Sequence, residues 1–208
     1  MKKNKLILFD WGGIVEPQKE GFIKTFKTLF KTLGYDKDDV IDILKKYHLS
    51  SIRTLDEYES IFENMKKDFN ISCTFDQYLN LYTELFDKII YYKDVAEYES
   101  SLKDKCNIGI LSNLSVIDHD RIDKQLNLKN YDYVFLSYEL GCQKPNKEIY
   151  EKVQSMLPFN KEDILFVDDL EKNINAAKEM GWNTCLANGL ELDKIKKACE
   201  CFINKEND

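Results

Sequence analysis

No apolar run in this 208-residue chain approaches the length needed to cross a bilayer. The opening "MKKNKLILF" imitates a secretory signal, but Asp10 interrupts its apolar stretch after four residues, Leu6 to Phe9. The six cysteines include no Cys-x-x-Cys pair, and the nearest two, Cys199 and Cys201, have too few partners for a zinc site. Reduced thiols in a soluble, cytoplasmic protein are therefore expected. The lysines are scattered and the net charge is −7, which argues against nucleic-acid binding driven by counterion release. An anionic substrate would need local help from a cation, a lysine or a helix N-terminus. No internal repeat or low-complexity segment is present. With 43% hydrophobic residues the chain has enough apolar surface for one sizeable domain, or for a core with a smaller insert.

Five short apolar runs have strand length: "LILF" (6–9), "IGILS" (108–112), "YVFLS" (133–137), "ILFVD" (164–168) and "NTCLA" (183–187). Helix-like stretches at 116–126, 145–156 and 171–180 separate the later ones. Near-continuous apolar strands alternating with helices predict a parallel, doubly wound α/β sheet. In such sheets the site lies beyond the C-terminal ends of the strands. The interval from 18 to 92 breaks the rhythm. "FIKTFKTLF", "DDVIDILKKY", "LDEYESIFENM" and "TFDQYLNLYTELF" carry helical periodicity, and Thr74 is suited to cap the last of them. The expectation is an α/β core of residues 1–17 and 93–208 with a helical domain of 18–92 inserted in it. The insert's aromatic stripes read as its core. The closing "CFINKEND" is polar and reads as frayed.

Four chemically active positions fall at strand ends: Asp10, Ser112 with Asn113, Lys144, and the pair Asp168–Asp169. Each alone has a structural reading: Asp10 and the pair as helix caps, Ser112–Asn113 as a turn, Lys144 as a solvated residue before a proline. A parallel sheet gathers its C-terminal edges into one crevice, however, and as a group these residues suit phosphoryl transfer. Asp10 and Asp168 can share a hard cation such as Mg²⁺. A serine hydroxyl and a lysine can hold phosphoryl oxygens. Asp10 can attack phosphorus to give an aspartyl-phosphate.

"LILFDWGGIV", "GILSN", "GCQKPNKEIY" and "ILFVDDLEKNINAAKEMGW", in that order, resemble the four motifs of the haloacid dehalogenase (HAD) superfamily. The helical insert resembles the cap of its first subfamily. The resemblance implies a Rossmann-like sheet of order 3-2-1-4-5 under a mobile helical cap. It implies a Mg²⁺-dependent phosphatase acting on a small phosphorylated metabolite, as monomer or homodimer. Asp10 would be nucleophile and metal ligand, with Gly12 (through its carbonyl), Asp168 and Asp169 completing the metal site. Ser112 and Asn113 would bind the phosphoryl group, and Lys144 would neutralise it and orient Asp10. Trp11 would shape the pocket entrance. Asn173 falls where the family often has an asparagine, in a structural or ligand role.

The departure from the family pattern is Gly12. The usual first motif is Asp-x-Asp-Gly, and its second aspartate protonates the leaving oxygen and then activates water; here the motif is Asp10-Trp11-Gly12-Gly13. Losing a general acid/base typically forfeits about two to four orders of magnitude in rate. Three readings follow: an atypical phosphatase, a 2-haloacid dehalogenase, or a pseudophosphatase that binds a phosphorylated ligand or a protein partner. The dehalogenase reading is weakened by the intact Asp168–Asp169 pair, since dehalogenases typically lack it and rely on an early arginine. Glu16 is a stand-in acid in the first reading, against a solvated or hinge role. His119 reads as a surface capping residue and His48 as a solvated helix end. Cys142 lies near the site with nothing to make it a nucleophile.

Overall fold

The computed structural model describes residues 4–17, 20–37, 39–41, 45, 47 and 53–205. Its centre is a five-stranded parallel sheet of order β3-β2-β1-β4-β5. The strands are β1 (Leu6–Phe9), β2 (Asn107–Ser112), β3 (Tyr133–Leu136), β4 (Ile164–Asp168) and β5 (Asn183–Leu186). All four residues of β1 are buried because it is the middle strand with both faces covered. Alternation sends Ile7 and Phe9 into one hydrophobic cluster and Leu6 and Leu8 into the other.

The first cluster is closed by helices α4 (Lys93–Ser101), α5 (His119–Leu126) and α9 (Leu192–Asn204) through Val95, Ile122, Ile195 and Phe202. The second is closed by α7 (Lys147–Met156) and α8 (Glu171–Glu179) through Ile149, Val153 and Ile174. A short helix, α6 (Ser137–Leu140), follows β3 directly. The "CFINKEND" end is not frayed through residue 204: α9 runs to Asn204, Phe202 and Ile203 are buried, and Lys5 Nζ donates to the Phe202 carbonyl at 2.8 Å. Ile195, Cys199, Phe202 and Ile203 form the buried face of this helix.

Register positions the functional edge. Phe9 lies opposite Ile110 on β2 and Val167 on β4. Asp10 therefore stands level with Asp168, and its N–H continues the ladder to the Val167 carbonyl at 2.9 Å. Ser112 ends β2 a step further on.

Between β1 and β2 the chain forms α1 (Glu20–Thr32), α2 (Leu55–Phe69) and α3 (Phe75–Phe86). Thr54 and Thr74 each form a capping box, with Glu57 and Gln77, which fixes where α2 and α3 begin. The aromatic stripes are packed into a third cluster of their own, with Phe30 against Phe69 at 4.3 Å and Tyr82 stacked on Phe86 at 4.1 Å. The helix expected at "DDVIDILKKY" falls largely outside the described residues, as does His48. The two chain crossings that join the helices to the sheet are tied together where Tyr92 N–H donates to the Val15 carbonyl at 2.7 Å.

One buried acid is used by neither the sheet edge nor the helical insert. Glu99 on α4 has no exposure; Tyr131 donates to its Oε2 at 2.6 Å, and its Oε1 has no partner. Burial pushes its carboxyl up to about 8 from 4.5, against the Tyr131 hydrogen bond. The folded state therefore binds a proton that the unfolded state releases, so stability contributed by this group falls as pH rises from about 4.5 to about 8. Glu99→Gln should flatten the pH dependence of unfolding free energy in that window, measured by urea titration; an unchanged slope would contradict it.

Candidate active site

The site is built on the C-terminal ends of β1, β2 and β4. Lys144, on the loop between α6 and α7, has a fully buried side chain. Its Nζ reaches Asp10 Oδ2 at 2.9 Å and Asp168 Oδ2 at 2.7 Å. One ammonium thus bridges two carboxylates that register brings side by side. Burial works against the Lys144 charge, but Asp10 and Asp168 outweigh it and hold its proton more firmly than usual. Burial likewise pushes the Asp10 carboxyl upward, with Lys144 opposing and Asp168 adding to the push.

Further lone pairs of the two carboxylates are also occupied. Asp10 Oδ1 accepts from Ser112 Oγ at 2.8 Å and from the Trp11 N–H at 2.7 Å. Asp168 Oδ1 accepts from the Leu170 N–H at 2.8 Å, and Asn173 Nδ2 spans both Asp168 oxygens at 3.0 and 2.9 Å. Asn173 itself is seated by Tyr150, whose hydroxyl donates to its carbonyl at 3.0 Å. Asn113 uses its amide on the Lys144 backbone, donating to the carbonyl and accepting from the N–H, both at 2.8 Å. It fastens the loop that carries the lysine.

Asp10, Asp168 and Asp169 each present a carboxylate oxygen, all within 4.8 Å of one another. Three hard oxygen donors at one point fit a small divalent cation. Asp169 sits tightly against the turn after β1: a Cβ at Gly13 would meet its carboxylate carbon at 2.3 Å, and Gly13 has φ +82°. Glycine is required there on both counts. Gly12 differs, because a Cβ at that position would meet nothing within 4 Å, and its φ lies outside the left-handed region. No packing constraint imposes glycine at position 12.

Glu16 is not solvated. It is buried and ion-paired with Arg121 Nη1, while Arg121 Nη2 binds Asp118 Oδ1 at 2.7 Å. Tyr82 on α3 donates to the same Asp118 oxygen at 2.8 Å. The Arg121 guanidinium lies 4.6 Å from the Trp11 ring centroid and 5.6 Å from that of Phe86. Trp11 is itself buried, its Nε1 donating to Gln125 Oε1 at 3.0 Å. This network joins the residue after Asp10 to the helical insert. Its sequence signal was slight: Arg121 is one of only two arginines among 30 basic residues. A planar fork suits a site where two buried carboxylates must be met at once.

His119 does not cap α5 with its side chain; its Nδ1 pairs with the Tyr138 hydroxyl at 2.8 Å. Cys142 is buried, and burial raises its thiol further from reactivity. A cavity of about 280 Å³ abuts the site, with Trp11, Gly12 and Asn113 in its wall and Phe22 and Ile23 of α1 across from them. Two other clefts, both lined by Tyr91, Lys93 and Gln125, include none of the strand-end residues.

Fold and site together define the class: a doubly wound α/β hydrolase with an acidic cluster and a buried lysine at its strand ends. The family profile described as haloacid dehalogenase-like hydrolase matches residues 7–187, and the chain belongs to that family. D-ribitol-5-phosphate phosphatase of Bacteroides thetaiotaomicron is 28% identical over 198 residues, covering 86% of this chain and 90% of its own. A HAD-like family hydrolase from Porphyromonas gingivalis has a similar structure, with TM-score 0.75 at 20% identity over 98% of this chain and 99% of that one. A HAD-family enzyme of Bacteroides thetaiotaomicron, solved with magnesium and inorganic phosphate, is similar at TM-score 0.66 and 21% identity over 88% of this chain and 93% of that one. Among the described residues, no helix is long and apolar enough to cross a membrane.

The buried network yields a stability test. Arg121→Met leaves Glu16 and Asp118 buried without their cation and should cost about 3–5 kcal/mol in urea unfolding. A loss below about 1 kcal/mol would place the pair effectively in solvent.

Proposed function

We propose that this chain is a Mg²⁺-dependent phosphatase that hydrolyses a small phosphate monoester through an aspartyl-phosphate on Asp10. The observation that carries this reading is the Lys144 ammonium shared by Asp10 and Asp168, with Ser112 on the other oxygen of Asp10. The phosphatase named among the relatives supports it. Helices of 18–92 act as the cap over the site, with 1–17 and 93–208 as the core.

The chain's residues divide the work as follows. Asp10, Asp168, Asp169 and the Gly12 carbonyl would hold the cation, which when bound would supply positive charge to the phosphoryl oxygens and lessen their repulsion of the nucleophile. An Asp10 oxygen attacks phosphorus, and the ester P–O bond breaks with its electron pair leaving on the alcohol oxygen. Lys144 and Ser112 stabilise the charge on the transferring group. Asn113 and Asn173 are positioning residues, holding the Lys144 loop and the Asp168 carboxylate. Water then attacks the phosphorus of the aspartyl-phosphate, freeing inorganic phosphate and restoring the Asp10 carboxylate.

Both steps need a proton moved, to the leaving oxygen and from the attacking water, and Gly12 can do neither. Glu16 does not replace it, since its carboxylate is buried on Arg121. Solvent carries these protons, so turnover is slow and favours leaving groups that need little protonation.

A screen of phosphorylated metabolites and 2-haloacids, with and without Mg²⁺, tests this reading. The native chain should release phosphate only with the metal, Asp10→Asn should abolish release, and Gly12→Asp should raise it by about 10- to 100-fold, part of the general acid/base contribution. Undiminished activity in Asp10→Asn overturns the assignment. Silence from the native chain with activity in Gly12→Asp makes the native protein a binder of phosphorylated ligands, and metal-independent halide release makes it a dehalogenase.

A further inference from the structure

The cavity beside Asp10 is unequal in its chemistry. Trp11, Pro17, Phe22, Ile23 and Leu114 give it apolar walls. Most of its polar side-chain atoms among the described residues are already engaged, Glu16 and Asp118 with Arg121 and Asn113 with the Lys144 backbone, while the buried Arg121 Nε lacks a partner. The Glu16–Arg121–Asp118 group carries two formal negative charges against one positive. It therefore disfavours a second anionic group on a ligand, and beyond the single Arg121 Nε–H it has little unpaired capacity to receive hydroxyls. Hydroxyls moved from water into such a space lose hydrogen bonds, whereas methylene groups gain from burial.

We propose that this cavity selects the leaving group, and that the substrates are monophosphate esters of compact, uncharged alcohols with substantial apolar surface, in preference to polyol phosphates or substrates with a second anionic group. The inference rests on the phosphatase reading of the site. Asp10, Ser112 and Lys144 take the phosphoryl group, and the alcohol portion lies against Trp11 on the core side and Phe22 and Ile23 on α1. Ile23 is the residue to alter: it is 40% exposed, so a change there tests recognition with little cost to packing. Phe22 is less suitable because it packs on Phe26 and Phe86 at ring distances of 5.1 and 4.9 Å.

Pentyl phosphate and ribitol 5-phosphate form a matched pair, since both are primary esters on five carbons and differ only in hydroxylation. With Mg²⁺, kcat/KM for pentyl phosphate should exceed that for ribitol 5-phosphate by about tenfold or more, the scale on which apolar pockets discriminate. Ile23→Asn should narrow that ratio several-fold, while p-nitrophenyl phosphate reports on the chemistry as a common reference. Equal use of the two esters, or preference for ribitol 5-phosphate, overturns the inference and leaves the phosphatase reading standing. If no ester turns over, dissociation constants of the same two compounds, measured by calorimetry, decide. At least tenfold tighter binding of pentyl phosphate keeps the selectivity and rejects catalysis, and equal binding or none rejects the selectivity as well.

Discussion

The structure around the sheet edge depends on one buried ammonium. Asp10 and Asp168 end adjacent parallel strands in register, so their carboxylates must sit side by side away from bulk water. Two such charges repel strongly at low effective dielectric. Lys144 removes the conflict by reaching both from a third strand's loop, and that loop is in turn held by the Asn113 amide. Ser112, Trp11 N–H, Leu170 N–H and Asn173 donate to further carboxylate lone pairs. Buried ion clusters of this kind do not by themselves add net stability, because desolvation offsets the attraction. The two apolar layers of the sheet carry the fold, and the charged cluster is the part the proposed chemistry uses.

The same physics recurs at the boundary with the helical insert. Arg121 meets Glu16 at the first crossing and Asp118 in the core, and Tyr82 and Phe86 of α3 contact the pair from the other side. Trp11 is stacked beneath the guanidinium and hydrogen-bonds Asp10 through its backbone. α3 is thereby connected through Arg121 and Trp11 to the Asp10 carboxylate. Gly13 tightens the same turn against Asp169, whereas a Cβ at Gly12 would meet nothing within 4 Å. Packing therefore does not account for the glycine at position 12.

Much of this was legible in the sequence. Apolar runs ending in Asp10, Ser112 and Asp168 mark strands buried on both faces, and parallel pairing obliges their ends to converge. The helical insert was legible from its periodicity and from Thr74 as a cap. What escaped was non-local. Glu16 reads as solvated because its partner Arg121 lies 105 residues away. The Asn113 amide also holds the Lys144 backbone from 31 residues away, a contact that its place after β2 does not announce. "CFINKEND" has a polar composition, but Cys199, Phe202 and Ile203 fall on one buried helical face that Lys5 fastens through the Phe202 carbonyl. Composition averages over faces, and only packing separates them.

The central claim is that Asp10 becomes covalently phosphorylated. Acid quenching within the first turnovers, followed by mass analysis of the peptide that contains Asp10, tests it most directly. The account predicts a phosphoryl adduct on Asp10 that forms only with Mg²⁺ and a phosphate ester, decays to free phosphate, and persists longer than in Gly12→Asp. Steady phosphate release with Asp10 unmodified throughout would contradict it.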